Sequence, residues 1–61
     1  MKIGDRIGVM LKQETRIGHV TDRRLTEYGP VVTVEFWHAG RRESREFHVS
    51  DPALVLLGRH E

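Results

Sequence analysis

The sequence predicts an all-β fold: a small closed barrel of five short strands with a helical turn before the last. Short runs in which apolar and polar residues alternate are typical of strands with one buried face. No long window has apolar residues at helical spacing, and six glycines are spread along the chain. Closing the sheet would hide its edges, so a barrel is the expected arrangement.

The first two strands are predicted on either side of a polar connection. The first is 5–11, whose alternate apolar residues share one face, and 12–15 form the connection. The second is 16–24, with Val20 as its core residue. Gly18 within this strand predicts a bulge or a close approach of another backbone.

The third and fourth strands are predicted to form a hairpin. The segment 25–30 ends the second strand and contains the turn pair Gly29-Pro30. The third strand is 31–38, rich in β-branched and aromatic residues, and the bend 39–42 connects it to the fourth strand, 43–49.

The last elements are predicted as one helical turn and one strand. In the turn, 50–54, Ser50 or Asp51 is the expected cap and Pro52 suits the first helical position. The fifth strand is 55–57. The domain is then residues 1–58, followed by a C-terminal tail at 59–61. The predicted core comprises Ile7, Val9, Val20, Val32, Val34, Phe36, Phe47, Val49, Leu54 and Leu56.

Length and composition favour self-association. A chain of 61 residues buries about 60% of the surface of its unfolded form. There is no cysteine, so disulfides cannot supplement this core. Separately, we expect no cofactor. The sequence has no apolar run of transmembrane length and no signal-peptide pattern, which makes a bacterial-type cytoplasm the default expectation.

The strand pattern resembles the SH3-like small β-barrels. The resemblance runs from Lys2 to Leu57 through "KIGDRIGV", "RIGHVTD", "VVTVEF" and "REFHVSDPAL". A small accessory protein of photosystem I and the KOW-like ribosomal and transcription modules are similar in architecture. The type II dihydrofolate reductases are similar at "IGDRIGV", and their pore-lining valine-glutamine-isoleucine-tyrosine stretch aligns with 45–48, which reads "REFH". The resemblance therefore implies the architecture, and the reductase activity is not carried over.

The single tryptophan is the main candidate for function. Trp37 has the opposite parity to Val34 and Phe36, so we expect it outside the core. Val31 shares its parity, and Tyr28 lies in the preceding loop. Exposed aromatic residues are enriched at binding hot spots. The alternative is that a local bulge turns the indole inward or over one end of the barrel.

Two arginine pairs add a second hypothesis. They are Arg23-Arg24 and Arg41-Arg42, and the net charge of the chain is only +1. The neighbouring acidic residues favour ion pairs with these arginines, across strands or between subunits, over contacts with phosphates. We therefore expect an interaction module that binds a protein partner or itself, with nucleic acid as the alternative partner if the two pairs converge around Trp37.

Enzymatic and metal chemistry have little support. The four histidines, at 19, 38, 48 and 60, match no zinc-binding spacing. Ser44 and Ser50 have no recognisable triad partner, and a single small barrel offers little concavity for a substrate. We expect no catalytic residues. The second alternative is an oligomeric enzyme that resembles the type II dihydrofolate reductases and builds its pocket between subunits.

Overall fold

The fold is one antiparallel sheet of five strands. A computed structural model describes residues 1–58, and the predicted tail at 59–61 lies outside them. The strands are β1 (Arg6–Leu11), β2 (Glu14–Thr26), β3 (Gly29–His38), β4 (Arg41–His48) and β5 (Leu54–Gly58). Their spatial order is β4-β3-β2-β1-β5. The all-β prediction and the number of strands are confirmed. Residues 1–58 contain no helix able to cross a membrane.

The predicted closure of the barrel is not observed. The sheet is open, with β4 and β5 at its two edges. On β4, Arg45 pairs with Val34 and Glu43 with Phe36, so charged residues share the face of the apolar core. Sealing this edge against another strand would require these charges to leave water, which is costly without partners.

The predicted helical turn at 50–54 is replaced by a β-turn. The amide of Leu54 donates to the carbonyl of Asp51 at 3.0 Å, and the amide of Ala53 donates to the Asp51 carboxylate at 2.8 Å. The Asp51 carboxylate thus accepts a hydrogen bond from the backbone two residues ahead, as in an Asx turn, and Pro52 occupies the second position of the β-turn. Because β5 begins at Leu54, no helical residue follows.

The β3–β4 hairpin is tighter than predicted. Its connection is Ala39-Gly40 alone, with φ angles of 54° and 73°, and β4 begins at Arg41. Two successive positive φ angles define a type I′ turn, whose twist matches that of the flanking strands. The strands therefore continue with regular pairing from His38–Arg41 to Val31–His48.

Strand β2 is shared between two partners and changes register between them. Its residues 14–19 pair with β1, and residues 18–26 pair with β3. The register shifts between Val20 and Asp22, so Thr21 is an extra residue. Gly18 marks a close approach: a β-carbon there would lie 2.3 Å from the carbonyl oxygen of Glu35. The sequence prediction of a close approach at Gly18 is confirmed, whereas the bulge lies three residues later.

The core lies on one face of the sheet. Its buried members are Ile7, Val9, Val20, Val32, Val34 and Phe36, with Phe47, Val49 and Leu54 packed against them. The prediction is confirmed at these nine positions. Leu56 is also predicted in the core but is 38% exposed. It pairs with Ile7 on the inner side of β5, where the edge position leaves one flank without a neighbouring strand.

A buried aspartate connects the N-terminus to β2. Asp5 is 2% exposed, and its carboxylate accepts a hydrogen bond of 2.8 Å from the amide of Lys2. The backbone of Gly4 and Asp5 bonds to Val20 at 2.8 and 3.0 Å. The N-terminal segment is therefore held against β2 immediately before the bulge.

Candidate protein-binding face

Trp37 lies on the outer face of the sheet, opposite the core, as predicted. Trp37 is 59% exposed. It pairs with Arg42 on β4, whose guanidinium carbon lies 5.7 Å from the centre of the indole ring. The Nε of Arg42 is also 3.4 Å from Oε1 of Glu35, two residues along β3 from Trp37. The indole is thus stacked by a cation that a carboxylate holds in place.

The indole continues into a row of apolar residues across the sheet. Ile17, 59% exposed, lines a small cavity of about 140 Å³ together with Trp37. On its other side Ile17 pairs with Gly8 of β1, and Gly8 pairs with Val55 of β5. Leu57 lies over Gly8, because its Cδ1 would be 3.5 Å from a β-carbon there. We call Trp37, Ile17, Gly8, Val55 and Leu57 the outer stripe.

Most of this stripe is not evident from the sequence. The sequence pattern places Ile17 near a bend in the second predicted strand and residues 55–57 in a short strand. It does not indicate that these residues share a surface. The stripe exists because pairing places Ile17 opposite Gly8, and the missing side chain of Gly8 leaves room for Leu57. A run of alternating residues gives the parity within one strand but not its neighbour, so only the signal at Trp37 is visible.

Two residues predicted beside Trp37 do not join it. Val31 is 6% exposed and so contributes little accessible surface, which corrects its assignment to a binding surface. It has the parity of Trp37 but lies at the opposite end of β3, between Arg24 and His48. Tyr28 is 79% exposed beyond that same end. Gly29, the residue after Tyr28, is eight residue steps along β3 from Trp37. Tyr28 is therefore roughly 26 Å from the indole.

The two arginine pairs are also far apart. Arg24 pairs with Val31 and Arg42 with Trp37, so six residue steps, about 20 Å, separate them along β3. Arg23 donates to the Met1 carbonyl at 3.0 Å. Arg24 donates to Glu46 at 2.5 Å, and this contact raises the pKa of its guanidinium. The arginines therefore form no single basic patch around the indole.

A chain of ionisable side chains, here called the ionic chain, lies on the core-facing side of β2, β3 and β4. The Nε2 of His38 is 3.7 Å from Glu14, and its Nδ1 is 3.3 Å from Glu43. Arg16 contacts Glu14 at 2.5 Å, and Arg45 contacts Glu43 at 3.0 Å. The hydrogen bond from His38 is the main cause that lowers the pKa of the Glu43 carboxyl, and the charge of Arg45 acts in the same direction.

A cleft of about 730 Å³ opens beside the ionic chain. It is lined by Leu11, Lys12, Gln13, Glu14, His38 and Arg45. Three of these, Glu14, His38 and Arg45, already have partners within the ionic chain. The Arg45 guanidinium also lies 5.6 Å from the Phe36 ring centre. The charged lining at Glu14, His38 and Arg45 is therefore engaged in contacts within the protein.

Among residues 1–58, no group of three or more His, Asp or Glu side chains is arranged to hold a metal ion. His19 and His48 are exposed, and His38 belongs to the ionic chain. His60 lies outside the described residues. Comparison with protein-family models, with curated proteins and with solved structures gave no match for the chain.

Proposed function

We propose that the protein is a small interaction module that binds a protein partner through the outer stripe, with Trp37 as the anchor. The observation that supports it is the apolar row from Trp37 through Ile17 to Leu57, which crosses four strands on the face away from the core. Exposed apolar rows bordered by charges are typical of protein-binding surfaces. We further propose an SH3-like architecture, which the strand order and the sharing of β2 between β1 and β3 support.

The stripe and its border have different roles in this proposal. Apolar area removed from water supplies affinity, at about 25 cal/mol per Å² before the costs of ordering. Arg42 and Glu35 flank the indole and orient the bound segment, because rim charges contribute to register more than to affinity.

Selection from a displayed library of random linear peptides tests the proposal. Peptides that bind the wild-type protein are synthesised, and their affinities are measured by titration. Trp37→Ala should weaken them by roughly 30-fold, the equivalent of about 2 kcal/mol for a hot-spot residue. Ile17→Asp should weaken them comparably. Tyr28→Ala is the matched control, since it removes an exposed aromatic residue that lies off the stripe.

Equal affinities for the wild type and the Trp37→Ala variant would reject the outer stripe as the binding surface. A single-stranded oligonucleotide in the same assay tests the alternative, for which the Arg42–Trp37 stack offers a platform for a base. Binding that falls steeply with salt indicates phosphate contacts, whereas a shallow response indicates the apolar stripe.

A further inference from the structure

The two edges of the sheet differ in their protection against pairing. On β4, five of the eight residues are charged, which is a common way to block edge-to-edge association. On β5, Leu54–Gly58, the sequence LVLLG has no charged residue. Val55, Leu56 and Leu57 are 44%, 38% and 48% exposed. An apolar edge strand of this kind requires a cover.

The free hydrogen-bonding groups of β5 can be located from its pairing with β1. The amide of Met10 donates to the carbonyl of Ala53 at 2.8 Å, and this register continues to the pair Gly8–Val55. Hydrogen-bonded and non-hydrogen-bonded pairs alternate along an antiparallel ladder. Met10–Ala53 is a hydrogen-bonded pair, so Gly8–Val55, two residues along, is one as well, and the main chain of Val55 faces β1. The amide and carbonyl of Leu56 therefore face away from the sheet.

We propose that a second copy of this chain covers the edge, by antiparallel pairing of two β5 strands around Leu56. At the two-fold axis, each Leu56 amide donates to the Leu56 carbonyl of the other copy. Val55 then lies opposite Leu57 of the second copy on the outer face, where Leu57 is the extra residue at the register shift between β5 and β1. The two outer stripes thereby join into one continuous apolar row.

Self-complementarity favours a second copy as the occupant. Because β5 is uncharged, antiparallel pairing with itself sets apolar side chains against apolar side chains, with no charge opposite another. In residues 1–58, nine large apolar residues are exposed and seven are buried, so a monomer leaves much apolar area in water.

The test combines solution mass with amide hydrogen exchange over a dilution series of the full chain. We expect a dimer by light scattering, with slow exchange at the Leu56 amide that becomes fast as the dimer dissociates. The Ser44 amide is the internal reference. The two-residue hairpin makes His38–Arg41 a bonded pair, so Ser44 on the free edge of β4 also points its amide away from the sheet.

Proline variants test the same edge independently. Leu56→Pro removes the outward amide without removing a bond to β1, and we expect a folded monomer. Ser44→Pro, the matched control, should remain a dimer. If Leu56→Pro fails to fold, the exchange of the wild-type Leu56 amide still decides the question.

Two results would overturn the proposal: a monomeric wild type at all concentrations, or a dimer in which the Leu56 amide exchanges as fast as that of Ser44. This inference concerns the sheet edge and the proposed function concerns its outer face. Variants at Leu56 and at Trp37 therefore separate the failure of one from the failure of the other.

Discussion

Gly18 of β2 lies against the main chain of Glu35 on β3 so closely that no side chain fits between them. A β-carbon on Gly18 would be 2.3 Å from the Glu35 carbonyl oxygen and 2.8 Å from the β-carbon of Phe36. Phe36 belongs to the buried core and Glu35 to the binding face. This contact therefore fixes the spacing of the strands that present the indole.

Gly18→Ala should destabilise the protein by about 1–3 kcal/mol, because the obstacle is main chain and cannot rotate away. Urea denaturation followed by far-ultraviolet circular dichroism measures the loss. Gly8→Ala is the matched control: its β-carbon would meet side-chain atoms at 3.5 Å, an ordinary contact, and its stability should change by no more than about 0.5 kcal/mol. Equal losses in the two variants would contradict this account.

Ala39→Asn should stabilise the protein by about 0.5–1 kcal/mol. Ala39 has a φ of 54°, a left-handed conformation that is strained for alanine and well tolerated by asparagine in a type I′ turn. Thermal and urea denaturation measure the gain. Gly40→Ala changes the second turn residue, at φ 73°, in the unfavourable direction and should lower stability. A destabilised Ala39→Asn variant would show that the strain at this turn does not limit stability.

Asp5→Ala should cost about 1–3 kcal/mol, because it removes a buried acceptor and leaves the Lys2 amide without that bond. The control is Asp22→Ala, where an exposed carboxylate accepts from the Arg23 amide and water can replace it. Chemical denaturation of both variants gives the comparison. Similar costs would mean that burial at Asp5 adds nothing.

Stability should fall in acid partly through Glu43. The pKa of Glu43 is lower in the folded chain than its ordinary value of 4.5, because His38 and Arg45 stabilise the carboxylate. A lowered pKa contributes stability above the unfolded value, and that contribution is lost as the pH falls below 4.5 through the folded value. In the Glu43→Gln variant, the free energy of unfolding should therefore decrease less steeply as the pH falls into the acid range. Glu27→Gln, in the exposed β2–β3 turn, should keep the wild-type curve.

Much of the fold is predictable because local alternation determines which residues face the core. Val32, Val34 and Phe36 show this in β3, where burial alternates from Val32 to Trp37. The failures arise where pairing decides. Leu56 has the parity of a core residue but lies on an edge strand, and the inward charges of β4 keep the sheet open. The Asx turn at Asp51 satisfies the same proline and capping signals that predict a helical turn.

The candidate site is predictable in its anchor and not in its extent. Parity alone places Trp37 outside the core. Its neighbours depend on register: Ile17 is brought beside it, whereas Tyr28 and Val31 are held at the far end of β3. These relationships cross strands, so they follow from the hairpin lengths and the extra residue at Thr21, neither of which alternation within one strand reveals.

The strand order also sets a hierarchy of folding events. β1 to β4 form three successive hairpins, each closed by a short connection, while β5 must return across the chain to reach β1. Local pairs form first because they require little loop closure, and the one distant pair forms last. The same strand is then the first to detach in partial unfolding. Sequences fused after Gly58 would thus act on the slowest step of folding.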